Sequence, residues 1–388
     1  MKRIRFFVSV LMCAAFVFSL TATGFAAADG DITLAFNEDG RFKIAVFADC
    51  QDVYPANGAM LAFMGDVLDE EQPDLVVFLG DNTVAGQAND SIAELIAPVD
   101  SRGVPFTFVF GNHDTQDSDV SPERTKANHL AQYRKSAYCM AYNVDDSLHG
   151  YANHNLVVMS SDGTKPAFDL FFLDSGMYSV CPEGSCYDCV HADQIAWFNE
   201  ASDEVDAEAG GAVPALAFQH IIPKQIYDAI YPAAPYSDSS AFKRFADGTC
   251  FSLVPTASKY RGFVNELPCP SYYDYGEWDA FSARGNVLGV VTGHDHVNNF
   301  TATYKGVDFI QTSAMTFHSY GNNIVRGARI IELDEKDPWN YSTYNVTVRE
   351  LAVKDKELAS MIDDSFIYPF LNFIMKFYAV FDKITHLF

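Results

Sequence analysis

Basic residues are scarce in this sequence of 388 residues. Lysine and arginine together number 26, against 51 aspartates and glutamates, and the formal net charge is −25 at pH 7. Because so acidic a chain repels phosphate groups, we expect neither binding to duplex nucleic acid nor adhesion to an anionic membrane through charge alone. Internal repeats and low-complexity linkers are also absent from the sequence. The length suits one large domain or two small ones, and the 14% aromatic content excludes disorder as the main state.

The amino terminus has the pattern of an export signal. Three cations and no acidic residue precede an apolar centre at 6–20, and three alanines at 26–28 supply the small residues that a signal peptidase needs. The apolar centre is short for a membrane span, although a retained anchor is the alternative. We therefore expect 1–28 to be a signal peptide and the mature protein to be secreted or held at the cell surface.

The carboxyl terminus, 351–388, is predicted to form an aromatic helical tail. Phenylalanines recur there at helical spacing, at Phe370, Phe373 and Phe377. A helix docked on the body of the protein explains this spacing. A helix lying on a membrane surface is the alternative and is not favoured. Pro369 and two charged residues interrupt the run, so a membrane span is not expected.

Between the termini, short apolar runs alternate with segments of helical length. The runs at 43–48, 75–79 and 105–110 are rich in valine and phenylalanine, and the segments at 57–71 and 89–101 separate them. This alternation predicts strand-helix-strand units. Further strands are expected at 155–160, 168–173, 214–219 and 286–292, followed without intervening helices by 299–304, 307–312, 325–333 and 343–349.

The two halves of this pattern predict a single domain over 40–350. A mixed α/β (α+β) sandwich of two sheets flanked by helices accommodates both. Two long segments, 175–190 and 221–285, are irregular in pattern and are interpreted as insertions. The second insertion is rich in tyrosine and proline, and its tyrosines either shape the rim of a substrate site or pack within the insertion.

Three cysteines crowd the first insertion, at Cys181, Cys186 and Cys189. In an exported chain a disulfide is expected among them, although thiolates at this spacing could instead bind zinc. Cys250 and Cys269 could close a second loop. The spacing does not determine which cysteines pair.

Side chains that can bind metals follow the predicted strands, each at the carboxyl end of its strand. They are Asp49, Asp81, Asn112, His113, His220, His294 and His296. Because strand ends of this kind converge on one crevice, we expect a single site. Carboxylate, amide and imidazole groups suit Mn, Fe, Zn or Co, and two ions about 3.5–4 Å apart can clamp a phosphoryl group and generate a hydroxide.

Three glycines immediately precede members of this set, at Gly80, Gly111 and Gly293. They fit tight turns from strand to loop, in which a Cβ atom could obstruct the geometry. Each short motif alone is weak evidence for a site. The ordered set, with every motif at a strand end, is much stronger evidence.

This ordered set resembles the calcineurin-type metallophosphoesterase superfamily, whose motifs run D-x-H, G-D, G-N-H-D/E, a lone H and G-H-x-H. The run GHDHVNNF, followed by SYG and RGARIIEL, resembles more narrowly the branch related to purple acid phosphatases. The resemblance covers roughly residues 40–335. It implies a two-sheet αββα sandwich with two divalent metal ions.

The resemblance also implies a role for each matching residue. The first metal would be held by Asp49, Gln51, Asp81 and His296, and the second by the bridging Asp81 with Asn112, His220 and His294. His113 would not bind metal but would stabilise the phosphate charge and protonate the leaving oxygen. Asp114 would orient the loop that carries these residues.

Two positions depart from the family pattern. Gln51 stands where the family has a metal-binding histidine, and an amide oxygen is a weaker ligand than imidazole for most transition metals. The first metal site is therefore expected to be labile or to prefer a harder ion such as Mn. Purple acid phosphatases place a metal-bound tyrosine three residues after the bridging aspartate, and Val84 occupies that position here. A purple tyrosinate-to-iron colour is not expected.

These observations predict a secreted metal-dependent phosphoesterase that acts on small phosphate mono- or diesters by attack of a metal-bound hydroxide. The choice between monoesters and diesters stays open. His318 follows the last sheet segment and is a candidate substrate-binding residue. The alternative is an extracellular binding protein that kept the fold and lost catalysis, for which Gln51 is the only support.

Overall fold

The structure is a computed structural model that describes residues 32–362, apart from 85, 117, 120, 183, 236–241 and 246. The predicted signal peptide at 1–28 and the aromatic part of the predicted tail lie outside the described residues. Within the described part, none of the helices has the length and apolar character needed to cross a membrane.

The strands and helices follow the order expected from the sequence. The strands are β1 (Arg41–Phe47), β2 (Leu75–Leu79), β3 (Phe106–Val109), β4 (His154–Met159), β5 (Pro166–Phe172), β6 (Tyr178–Cys181), β7 (Gly184–Tyr187), β8 (Ala215–Phe218), β9 (Phe242–Arg244), β10 (Cys250–Ser252), β11 (Arg261–Phe263), β12 (Val287–Thr292), β13 (Asn299–Tyr304), β14 (Val307–Gln311), β15 (Gly327–Asp334) and β16 (Tyr341–Thr347). The helices are α1 (Gly58–Glu71), α2 (Ala88–Asp100), α3 (Lys126–Tyr133), α4 (Ala192–Ala209), α5 (Ile226–Ile230), α6 (Glu277–Arg284), α7 (Val348–Ala352) and α8 (Lys356–Met361).

Two mixed sheets form the centre of the protein. The first sheet has the order β16-β15-β1-β2-β3, in which β1, β2 and β3 run parallel. The second sheet has the order β11-β13-β14-β12-β8-β5-β4, in which β5, β8, β12 and β14 run parallel. The predicted two-sheet α/β fold is confirmed.

Three apolar clusters separate the layers. One cluster lies between the sheets and contains Ile44 of the first sheet and Leu216 of the second. The other face of the first sheet packs on α1, α2 and α3 through residues such as Phe47, and the other face of the second sheet packs on α4, α5 and α6. Alternate residues of β1 enter different clusters, as the two-residue period of a strand requires. The layer order is therefore helix, sheet, sheet, helix.

Local groups set the helix boundaries. The Asn57 side chain accepts hydrogen bonds from the first turn of α1, and α4 ends at Gly210 in the left-handed conformation. Thr347 and Glu350 form a reciprocal capping box at the start of α7. Leu358 of α8 is buried against the α1 side of the first sheet, so the described beginning of the tail docks on the body.

The two insertions are more ordered than their sequence pattern indicates. The first forms the β6–β7 hairpin, and the second contains α5, the β9–β10 pair, β11 at the edge of the second sheet, and α6. Tyr227 and Tyr231 are buried in the cluster outside the second sheet. These two tyrosines pack within the protein and do not form a substrate rim.

The expected disulfides are not found among the described residues. The register of the β6–β7 hairpin keeps Cys181 and Cys186 from facing each other, because Cys181 pairs with Gly184 and Cys186 pairs with Ser179. Their sulfur atoms contact the backbone carbonyls of these same partners, at 3.5 and 3.6 Å.

Glycines allow the strand ends to approach the site closely. A Cβ atom on Gly111 would lie 2.2 Å from Oδ1 of Asp81, and one on Gly293 would lie 2.7 Å from Oδ2 of Asp49. Gly80 has a φ of +84°, and its Cβ would lie 2.6 Å from Nδ1 of His220. The expectation that a side chain would obstruct these turns is confirmed.

We expect Gly111→Ala to lower the free energy of unfolding by about 1–3 kcal/mol, the usual cost of forcing an atom into a packed site. Gly58→Ala is the matched control, because a Cβ there meets nothing within 4 Å at the start of α1. Urea unfolding of both variants and the wild type measures the difference. Equal midpoints for all three proteins would contradict the close approach of Gly111 to Asp81.

Candidate metal centre

The polar residues that follow the strands converge at one edge of the two sheets. In the first sheet they follow β1, β2 and β3, and in the second they follow β8 and β12. A cavity of about 380 Å³ opens there. Its lining includes Gln51, Asp81, His113, His294, His296 and His318.

The backbone is strained at several of these residues. Asp49 and Asp81 have φ values of 49°, Gln51 has 41° and His294 has 74°. Residues other than glycine rarely adopt the left-handed region, and such strain is concentrated at functional sites. In this protein it turns the chain sharply as each strand ends and keeps the side chain at the edge of the sheet.

The carboxylates and imidazoles lie close together. Nε2 of His220 lies 3.2 Å from Oδ2 of Asp81 and 3.8 Å from Oδ1 of Asp49. Nε2 of His296 lies 3.6 Å from the same oxygen of Asp49. The ligand atoms of Asp81, His220 and His294 all lie within 4.8 Å of one another. This spacing suits atoms that share a cation.

Several atoms of the site that could bind a metal are buried without a hydrogen-bond partner. They are Oδ1 of Asp49, Oδ1 of Asn112, Nε2 of His220 and Nε2 of His294. Buried polar atoms without partners are costly and rare in folded proteins. Carboxylate oxygen, amide oxygen and imidazole nitrogen are all ligands of divalent transition metals. The residues therefore fit a metal centre.

Backbone carbonyls fix the orientation of two histidines. Nδ1 of His220 donates to the carbonyl of Leu79 at 2.9 Å, and Nδ1 of His296 donates to the carbonyl of Tyr320 at 2.7 Å. Nδ1 of each ring therefore carries a proton, and Nε2 is the nitrogen that faces the carboxylates. Metal-binding histidines are usually held in this way.

The charged groups of the site strongly shift one another's pKa values. Burial alone would lower the pKa of His220, but the charges of Asp81 and Asp49 outweigh burial and raise it to about 10. Burial also opposes ionisation of Asp81, but His220 and His113 hold the pKa of that carboxyl below its usual range. Burial and the neighbouring His220 lower the pKa of His294 to about 3. One imidazolium thus supplies the positive charge next to these carboxylates.

His113 lies beside the candidate metal ligands and faces the cavity. Its backbone N–H donates to Oδ1 of Asp81 at 2.6 Å, and its Nδ1 donates to Oε1 of Gln116, also at 2.6 Å. The guanidinium of Arg124 donates to the backbone carbonyls of His113 and Gln116. Gln116 and Arg124 were not predicted from the sequence, since no motif marks them.

Gln51 contacts Asp81 through its amide nitrogen. Nε2 of Gln51 donates to Oδ2 of Asp81 at 3.1 Å. This oxygen is the one that lies nearest Nε2 of His220. In this arrangement Gln51 acts as a hydrogen-bond donor to the predicted bridging carboxylate, and its assignment as a metal ligand stays a prediction.

Asp114 ties two of the loops together. One carboxylate oxygen accepts from the backbone N–H of Gly111 at 2.8 Å, and the other accepts from those of Asn82 and Thr83 at 2.8 and 3.1 Å. These contacts match the predicted role of Asp114 in orienting the loop. They hold the residues after β2 and β3 in a fixed relation.

The rim of the cavity is aromatic on two sides. The Tyr320 ring is stacked on His296 at 4.1 Å, and the Tyr187 ring meets His294 edge-on at 4.3 Å. His318 and Val84 also line the cavity. Tyr187 belongs to the β6–β7 hairpin, and its contact with His294 could not be read from the sequence.

Comparisons with known proteins agree with this architecture. Residues 42–298 match the family model described as calcineurin-like phosphoesterase. Two similar proteins from Arabidopsis thaliana are the probable inactive purple acid phosphatases 29 and 28, each 28% identical to this chain. The alignments cover 86% and 89% of this chain and 88% of each relative.

Among solved structures, a dimetal phosphatase from Danio rerio gives a TM-score of 0.46 at 13% identity, covering 79% of this chain and 98% of that one. The family match spans more than half of the sequence and includes most of the residues described above. The chain therefore belongs to the calcineurin-like phosphoesterase family, in the branch related to purple acid phosphatases.

Proposed function

We propose that this protein is a metal-dependent phosphoesterase that hydrolyses small phosphate mono- or diesters at a centre of two divalent cations. The observation that carries the proposal is a set of buried atoms that could bind a metal and have no hydrogen-bond partner. They belong to Asp49, Asn112, His220 and His294. These residues belong to both sheets and meet beside one cavity. Bound cations would satisfy these atoms together.

The ligands divide into two groups around Asp81. One cation would be held by Asp49, Asp81 and His296, with Gln51 in the position of the family's histidine, and the other by Asp81, Asn112, His220 and His294. When bound, such cations neutralise phosphoryl oxygens and supply a water nucleophile that is activated near neutral pH. The donor set suits Mn, Fe, Zn or Co.

His113 would act as the general acid. With Nδ1 donating to Gln116, its other ring nitrogen is left for the cavity. The protonated ring can stabilise the charge of the phosphate and donate a proton to the leaving oxygen. Gln116 and Arg124 hold the ring and its backbone in place, so the histidine need not be reoriented during the reaction.

The cavity favours a small substrate. Its volume is about 380 Å³, and none of its described lining residues is a lysine or an arginine. The net charge of −25 opposes the approach of polyanions. Small mono- or diesters are therefore the proposed substrates, and His318, which lines the cavity, would contact them.

A second candidate is a binding protein with the same fold and little catalysis. Gln51 replaces a histidine of the family pattern and donates to Asp81, and two relatives carry the words "probable inactive" in their names. Turnover of an aryl phosphate and an aryl phosphodiester by the metal-loaded protein separates the two candidates. Two bound metals without turnover of any ester would favour the binding protein.

We expect Asp81→Asn to lose bound metal and turnover together. Asp81 lies between both ligand groups, and its two oxygens accept from His113 and Gln51. Elemental analysis and ester hydrolysis measure the two losses, with the exposed Asp39→Asn as the control. Full metal content and full turnover in Asp81→Asn would show that the bridging role is wrong.

His113→Ala is expected to keep its metals and to lower kcat by about 10²–10⁴-fold, the usual contribution of a general acid. The substitution removes the ring but keeps the backbone N–H that Asp81 accepts from. Bound metal and kcat are measured on the same preparation, and partial rescue by added imidazole is the control. Metal loss as severe as that in Asp81→Asn would make His113 a ligand.

Gln51→His is expected to raise the affinity of the first metal site. Imidazole is a stronger ligand than an amide, so the wild type should bind fewer than two equivalents of metal and gain activity when Mn is added. The variant should need less added metal. Metal titration of both proteins, followed by bound-metal analysis and activity, tests this. Identical titration curves would exclude residue 51 as a ligand that tunes the site.

A further inference from the structure

The β6–β7 hairpin brings two tyrosines to the metal centre. Tyr178 and Tyr187 pair in register across the hairpin, and their rings stack with centroids 5.7 Å apart. Tyr187 is in turn packed edge-on against His294. The position of the hairpin is therefore tied to a residue of the candidate centre.

The hydroxyl of Tyr178 contacts Asn112 directly. Nδ2 of Asn112 donates to this hydroxyl at 3.1 Å. The other end of the same amide, Oδ1, is buried and has no partner. An amide group has a donor end and an acceptor end of nearly equal shape, so its hydrogen bonds decide which end faces a given direction.

We propose that Tyr178 is a positioning residue that orients the Asn112 amide for metal binding. This inference rests on the proposed metal centre. By accepting from the NH₂ group, the phenol oxygen leaves the carbonyl oxygen free to bind a cation. If the Asn112 amide rotated by about 180°, its two N–H groups would face the cation and a ligand would be lost. Groups that orient a ligand in this way typically contribute about 10–100-fold to metal affinity.

The Tyr178 side chain is only partly buried. It is 42% exposed, so its ring contributes little to a core. Replacing it by phenylalanine removes one hydroxyl and keeps the ring stacked on Tyr187. The variant is therefore expected to fold like the wild type, and an unchanged thermal midpoint in chelator would verify this.

We expect Tyr178→Phe to weaken the binding of one cation by about 10–100-fold and to leave the other unchanged. Titration of the metal-free protein with Mn or Zn against a competing chelator measures both affinities. The matched control is Tyr273→Phe, because the Tyr273 hydroxyl donates to the carbonyl of Val180 at 2.8 Å. That variant also removes a hydroxyl that contacts the hairpin, but this hydroxyl touches no candidate ligand, so both affinities should stay at the wild-type level.

A third variant separates orientation of the amide from other effects. The carboxylate of Asn112→Asp presents an oxygen in either orientation and needs no hydrogen bond to select it. In that background the further change Tyr178→Phe should alter metal affinity by less than about twofold, since the coupling between the two positions is lost.

Three results would overturn the proposal. They are an unchanged affinity in Tyr178→Phe, an equal loss in Tyr273→Phe, and an undiminished loss in the Asn112→Asp background. Metal affinity is measured independently of hydrolysis. Weakened binding in Tyr178→Phe without turnover by the wild type would support the positioning role and refute the phosphoesterase. Turnover by the wild type, together with an unchanged metal affinity in Tyr178→Phe, would support the phosphoesterase and refute the positioning role.

Discussion

Two buried carboxylates, Asp49 and Asp81, are the constraint on which the rest of this structure depends. Both are almost completely buried, at 0% and 1% exposure. A buried charge is tolerated only where neighbouring groups compensate it. Asp81 accepts from the backbone of His113 and from the Gln51 amide, and its other neighbour is the charged imidazole of His220. Three separate loops must therefore meet around it.

That requirement explains the conformation of the strand ends. The chain turns through the left-handed region at the aspartates themselves, and glycines next to them remove the side chains that would keep the loops apart. Asp114 then ties the loops after β2 and β3 through three backbone N–H groups. The strain and the lost packing at these turns are offset by the two sheets, whose parallel strands are buried on both faces.

The sequence predicted the order of the strands and helices because apolar residues recur along it with the periods of these elements. The runs around Phe47, Phe78 and Phe108 alternate with helices, and such periodicity places strand ends at one edge. Side-chain contacts between distant segments carry no such signal. Tyr178 meets Asn112 across 66 positions, and Gln116 and Arg124 act through hydrogen bonds that no spacing predicts. Crowding along the sequence also failed to predict a disulfide, since the hairpin register places Cys181 and Cys186 opposite other residues.

The hydrogen bonds and charges around Asp81 also bear on how a cation would be held there. In this structure the charge that compensates Asp81 comes from His220, and an N–H of Gln51 donates to the same oxygen. A cation bound there would take over the role of the imidazolium and compete with the amide N–H. A histidine at position 51 could instead offer a lone pair. A cation that bound Oδ2 of Asp81 would displace the Gln51 N–H from that oxygen, and its binding energy would be reduced by the loss of this hydrogen bond. At position 51, therefore, this chain has an N–H that competes with a cation for Asp81, where the family pattern has a histidine that can bind one.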